Sequence, residues 1–215
     1  MYVLGPSEPN DELRFSLRSL VNVPHGNVWL AGWQPSWTDN VRRLPVKQGQ
    51  DKYRNVLANL SAIADCDGIS EQFLLFNDDF FCMRPVDRVG YTHLGTIRQA
   101  QRAYASRRDR YANLVRDIGR RWPEGYFYGV HMPMPMERGR LRDVLDDGPL
   151  MTRTDYGNLH EVGGVKVKDV KHKASTRPKQ VGDWLSTSDA SFRRGEVGKL
   201  IRARFPERSR YERRP

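Results

Sequence analysis

The run FLLFNDDFF, residues 73–81, sets two adjacent carboxylates one residue beyond four apolar residues. Charge is expensive there unless a cation or hydrogen-bond donors offset it. Hard divalent cations such as Mg²⁺ and Mn²⁺ meet that demand, because they take oxygen ligands and commonly join one or two carboxylates to substrate phosphates. Asp78 and Asp79 are therefore the candidate metal ligands, with Asn77 beside them as a binding residue. The same residues also fit an Asx turn at a strand end, with Asp78 capping a neighbouring backbone N–H.

Cationic side chains supply candidates for an anionic ligand. Arg14 and Arg18 lie four apart on an expected first helix and point away from its Leu13 and Leu17 face. Arginine forks suit phosphate oxygens, and exposed arginines also suit a plain solvated face. Lys52, Arg54 and Asn55 open the helix before the Asn-Asp-Asp segment. Cations at a helix N-terminus oppose its dipole, a conflict that a bound anion would remove.

Acid–base work has fewer candidates. His131 stands between the aromatic run 126–128 and the MPMPM turn, and imidazole can take a hydroxyl proton near neutral pH. Asp189 in LSTSDASF is a candidate second acid, metal ligand or general base, and Arg153 is a further cationic candidate. His25, His93, His160 and His172 lack comparable context and read as surface or packing residues. The Met132, Met134 and Met136 series reads as packing or a flexible lip.

The elements that must position these groups alternate in type. Tyr2–Leu4 reads as a strand, closed by Gly5-Pro6-Ser7, and Leu13, Leu17, Leu20 and Val21 then recur at helical spacing behind the possible caps Ser7 and Asn10. Val28–Ala31 and an edge-like Val41–Val46 are further strands, the helix Lys52–Ala64 follows, and Phe73–Phe76 returns to a strand. This β-α-β-β-α-β order predicts an α/β fold with a mostly parallel sheet flanked by helices, and ligands at the carboxyl ends of its strands. Thr96–Arg121 and Arg138–Leu145 read as helices, 152–188 as loops and short strands, and Glu196–Phe205 as a last helix before a fraying basic tail. The expected organisation is a ligand- and metal-binding core over 1–150 and a less regular acceptor-side part over 151–215 of the same domain.

Thirty-six Lys and Arg against twenty-six Asp and Glu give a net charge of +10, which favours a polyanionic partner without choosing among nucleic acid, acidic membrane and phosphate-bearing substrate. Residues 98–121 hold eight arginines with Tyr104 and Tyr111 interleaved; they fit a nucleic-acid or membrane-facing helix, or the charged outer face of a packed one. Cys66 and Cys82 form no CxxC pair, so a zinc site or disulfide framework is not expected, and a cytoplasmic location is. No stretch approaches the roughly 20 apolar residues of a membrane span.

Taken in order, NDELRFSLRSL, FLLFNDDFF and YGVHMPMPMERGRLRDVL resemble segments of the Stealth-type sugar-phosphate transferases and the related small glycosyltransferases of actinobacterial phages. The likeness covers most of residues 10–147. It implies a glycosyltransferase A-type fold, a nucleotide-sugar donor such as a UDP-sugar, and Mn²⁺ or Mg²⁺ held near Asp78 and Asp79, and it aligns His131 with a family histidine. The expected activity is metal-dependent sugar transfer to an acceptor hydroxyl, on a glycan or a virion protein. The alternatives are sugar-1-phosphate transfer with release of a nucleoside monophosphate and, in another class, a basic nucleic-acid-binding protein.

Overall fold

The computed structural model describes residues 2–3, 10–173 and 181–214. The Gly5-Pro6-Ser7 turn and the Ser7 cap lie outside them. Asn10 caps helix α1 (Asp11–Ser19): its side-chain oxygen accepts from Leu13 N, and its own backbone sits in the left-handed region at φ 44°. Leu13 and Leu17 are fully buried, as their spacing requires. On the same helix Ser16 donates to the Phe80 carbonyl at 2.5 Å and Ser19 accepts from Cys82 N at 3.1 Å, so α1 lies against the chain that follows the acidic pair.

Strands β1 (Tyr2–Val3), β2 (Trp29–Gly32) and β3 (Arg42–Pro45) form a parallel sheet with β3 at its edge. Helix α2 (Lys52–Asp65) buries Leu60, Ile63 and Ala64 and leads to β4 (Gln72–Leu75), after which β5 (Phe80–Cys82) begins beyond the acidic pair. The expected order up to this point is present. A mixed α/β fold results, with eight helices among the described residues.

Among the described residues, four small sheets stand in place of the single, mostly parallel one. The turn through Pro133 lays β7 (Met134–Glu137) antiparallel against β4, pairing Leu75 with Met134. Strand β10 (Trp184–Thr187) runs antiparallel to β5 and parallel to β9 (Lys171–His172), and β6 (Thr92–His93) pairs with β8 (Val165–Lys166). Neither antiparallel pair is a hairpin: the helices Ile97–Ala103 and Arg110–Arg121 lie between β4 and β7 and also between β5 and β10, so strand direction is set by the longer path of the chain and not by alternation of element types.

Three further expectations are corrected. The helix expected over 96–121 is two: α3 (Ile97–Ala103) and α4 (Arg110–Arg121), because Asp109 accepts from Ala112 N and starts a new helix. The stretch 152–188 holds helix α6 (Thr152–Leu159), which follows α5 (Arg138–Asp146), and the fully buried strand β10. Asp155 explains α6. Its carboxylate accepts from the backbones of Leu150 and Met151 and from Trp122 Nε1, so a polar residue is buried where an apolar one would have signalled the element. The basic tail is docked: after α7 (Asp189–Arg194) and α8 (Glu196–Arg204), Tyr211 is buried and Glu212 takes both prongs of the Arg18 fork at 2.8 Å.

Candidate functional site

Asp78 and Asp79 occupy the turn between β4 and β5. Asn10, at the start of α1, donates its amide to Asp78 at 3.4 Å. Glu12 enters from the first turn of α1 and accepts from the Thr187 hydroxyl at 2.6 Å. The antiparallel register of β5 and β10 sets Ser186 opposite Phe80, which carries Ser186 Oγ to 3.1 Å from Asp79. The parallel register of β9 sets Lys171 opposite Ser186, and its ammonium lies 2.7 Å from the same carboxylate oxygen. Ser186 and Thr187 are both fully buried, and these carboxylates satisfy their hydroxyls.

Electrostatics follow from that crowding. Burial pushes the Asp78 carboxyl up to about 7, the negative Asp79 and Glu12 add to the rise, and the Asn10 bond only partly opposes it. Burial also raises Glu12, helped by Asp79 and Asp189 and opposed by the Thr187 bond and Lys171. Three carboxylates thus lie close together, and Lys171 is paired with one of them, Asp79, an arrangement that favours added positive charge.

His131 belongs to the same neighbourhood through one segment of chain. Its Nδ1 lies 2.9 Å from an Asp169 oxygen, and its backbone N–H donates to that carboxylate at 3.2 Å. Burial alone would raise Asp169, but the His131 bond and charge outweigh it and hold the carboxyl below its usual range. Asp169 precedes Lys171 by two residues, so a single stretch grips both His131 and Asp79. A second tie is Arg153, which donates to the carbonyls of Val130 at 3.0 Å and Met132 at 2.6 Å and reaches Asn77 at 3.4 Å.

The remaining candidates have other contacts. Arg18 is committed to Glu212 and to the carbonyls of Phe205 and Pro206. Arg14 lies over Trp37 at 4.7 Å and near Glu212 at 3.7 Å. Asn55 is buried and clamps Gly49 through both its amide and its carbonyl. Lys52 and Arg54 are exposed, and the dipole conflict at their helix is met by Asp51, whose carboxylate accepts from Tyr53 N and Arg54 N. Asp189 is exposed on α7, paired with Arg193 at 2.8 Å, and near enough to Glu12 to raise it. Of the arginines in 98–121, Arg98, Arg107, Arg110, Arg120 and Arg121 are ion-paired to acids.

No protein-family model matches the chain, and no curated protein matches it.

Among the described residues no three or more His, Cys, Asp or Glu side chains are placed to hold a metal ion. The Asp78 and Asp79 oxygens suit a hard cation of the kind that one or two carboxylates hold together with substrate phosphates. Such a cation would share Asp79 with Lys171. Reading the sequence missed Glu12, Lys171, Asp169, Ser186, Thr187 and the Asn10 contact. Glu12 carried a signal, a carboxylate in the first turn of a helix whose next residue is core. Lys171 and Asp169 carried none, lying in a lysine-rich stretch without periodicity.

Proposed function

We propose that the protein is a transferase that takes a sugar from a nucleotide-sugar donor, with Mn²⁺ or Mg²⁺ at Asp78 and Asp79, on a core of glycosyltransferase A type. The observation that carries this reading is the meeting of Asp78, Asp79 and Glu12 with Lys171 at a strand end, two residues along the chain from the carboxylate that holds His131. The cation, when bound, offsets charge on the departing diphosphate. Lys171 adds a second positive charge on the same side. Asp169 fixes the proton of His131 on Nδ1, which leaves Nε2 as the basic nitrogen for an acceptor hydroxyl. Arg153 fixes the backbone on both sides of His131 and ties it to Asn77.

The resemblance of residues 10–147 to the Stealth-type and phage glycosyltransferase segments supports the donor class, with a UDP-sugar as first choice. A glycan or a virion protein is the matching acceptor. The pairing of most arginines in 98–121 with acids gives the nucleic-acid alternative less support.

The test is thermal unfolding with uridine, guanosine and thymidine diphosphate sugars, with and without Mn²⁺, for wild type and Asp79→Asn. Specific binding stabilises by about 2.7 kcal/mol at a hundredfold excess over Kd. A metal-dependent shift with one donor that Asp79→Asn loses is expected; no shift with any donor overturns the reading. Released diphosphate identifies glycosyl transfer, and released monophosphate identifies sugar-phosphate transfer.

A further inference from the structure

A hollow beside the end of α6 differs in charge from the chain as a whole. It measures about 390 Å³ and is lined by Trp122, Tyr126 and Tyr128 together with Glu124 and Glu161. No Lys or Arg stands among its described lining residues, although the chain carries a net charge of +10. Two arginines next to the lining are committed to acids, Arg98 to Glu124 and Arg121 to Asp147 and Asp155. Glu161 forms no ion pair among the described residues.

The rings are held in place. Trp122 Nε1 donates to Asp155 at 3.0 Å. Tyr126 stacks on the buried His93 with centroids 4.2 Å apart, and the Asn158 amide clamps its backbone, accepting from Tyr126 N and donating to Tyr126 O, both at 2.9 Å. Tyr126 is still 43% exposed, so the ring face away from His93 is open. These bonds also use up the donors: the indole N–H is spent on Asp155, the Tyr128 hydroxyl on the Gly163 carbonyl, and the Asn158 amide on the carbonyls of Tyr126 and Thr154. Apart from the Tyr126 hydroxyl, the side chains offer the hollow only aromatic faces and carboxylate oxygens. A sugar needs donors as well as acceptors, whereas a cation needs acceptors and aromatic faces alone.

Glu161 supplies a second sign. Helix α6 ends in a Schellman motif, with Val162 N donating to Gly157 O at 3.1 Å and Glu161 N to Asn158 O at 3.3 Å. Glu161 takes the left-handed position of that motif, at φ 46°, where glycine is the unstrained residue. A carboxylate kept there against local preference points to a use for its charge.

We propose that this hollow binds an alkylated ammonium group, the chemistry shared by choline-like small molecules and methylated lysine side chains. Trp122 and Tyr126 receive the methyl groups, and Glu161 offsets the charge. This inference is independent of the transferase reading, since it uses neither the acidic turn nor His131.

The experiment is an amide NMR titration of the full chain at constant ionic strength. The probes are choline, its neutral carbon isostere dimethylbutanol, a short peptide carrying trimethyllysine, and methyl glucoside. Choline or the peptide is expected to shift the amides of Gly125 and Gly163, which line the hollow, and to bind at least about tenfold more tightly than the isostere. The tighter of the two names the source of the ammonium group. Glu161→Gly is expected to weaken that binding at least about fivefold while Tm stays level or rises, because glycine relaxes the left-handed position. Equal affinity for choline, the peptide and the isostere overturns the proposal. So does tighter binding of methyl glucoside, the absence of any shift with either cation, or a Glu161→Gly variant that binds like wild type.

Discussion

Lys171 Nζ lies 2.7 Å from Asp79 Oδ2, across 92 residues of sequence. The contact exists because β9, β10 and β5 are neighbours, so Lys171, Ser186 and Phe80 stand in one row beside the acidic turn. Lysine is the positive charge that offsets Asp79 and eases Glu12, while burial raises the Asp78 carboxyl to about 7.

Replacing that charge costs stability. Lys171→Met leaves Asp79 facing Asp78 and Glu12, and unfolding in urea is expected to show a loss of about 1–3 kcal/mol. Asp79→Asn in the same background should restore part of it, and a double-mutant cycle measures the coupling. Mn²⁺ should stabilise Lys171→Met more than wild type if the cation uses the same carboxylate.

Asp78 makes stability depend on pH. Its folded carboxyl is raised to about 7 from an ordinary 3.8, so between those values the folded state keeps a proton that the unfolded state has released. Stability with chelator present is expected to be undiminished by Asp78 below about pH 4 and to fall as pH rises towards 7. Asp78→Asn removes that slope. Melting curves at pH 4 to 8, with EDTA, check it, and a flat wild-type curve would count against the raised carboxyl.

Asp169 positions His131, and Asp169→Asn should uncouple the imidazole from its orientation while keeping its size. Under the transferase reading, turnover is expected to fall about 100-fold with little change in KM for the donor, because the base acts in the chemical step. An equal loss in donor binding would instead place Asp169 in the donor site.

Arg18 and Glu212 give a control outside the acidic group. Both side chains are mostly buried, at 11% and 6% exposure, so Arg18→Ala leaves the carboxylate without its paired fork, with only the Ser209 donors and the more distant Arg14 beside it, and is expected to cost about 3 kcal/mol. Burial opposes ionisation of Glu212, but the Arg18 bond prevails and its pKa is lowered, so this stability is present above its ordinary value of 4.5 and is lost as pH falls below it. Urea unfolding of Arg18→Ala at neutral pH, with unchanged donor affinity, is the check.

Local pattern determined a good deal. The spacing of Leu13 and Leu17, of Leu60 and Ile63, and the apolar run into Asn77 marked α1, α2 and β4 within a residue or two, because each of these elements buries one regular face. The same run drew attention to Asp78 and Asp79. Only tertiary structure decided what stands around them. Glu12, Lys171 and Asp169 arrive through strand pairings and ion pairs between segments far apart in sequence, and periodicity carries no information about partners at such separation. Strand β10 and helix α6 escaped for a related reason: Ser186, Thr187 and Asp155 are polar residues whose burial depends on hydrogen bonds with groups elsewhere in the chain, Asp79, Glu12 and Trp122 respectively. The mixed sheets were hidden too, since whether a strand returns parallel or antiparallel depends on the path between strands and not on their own residues.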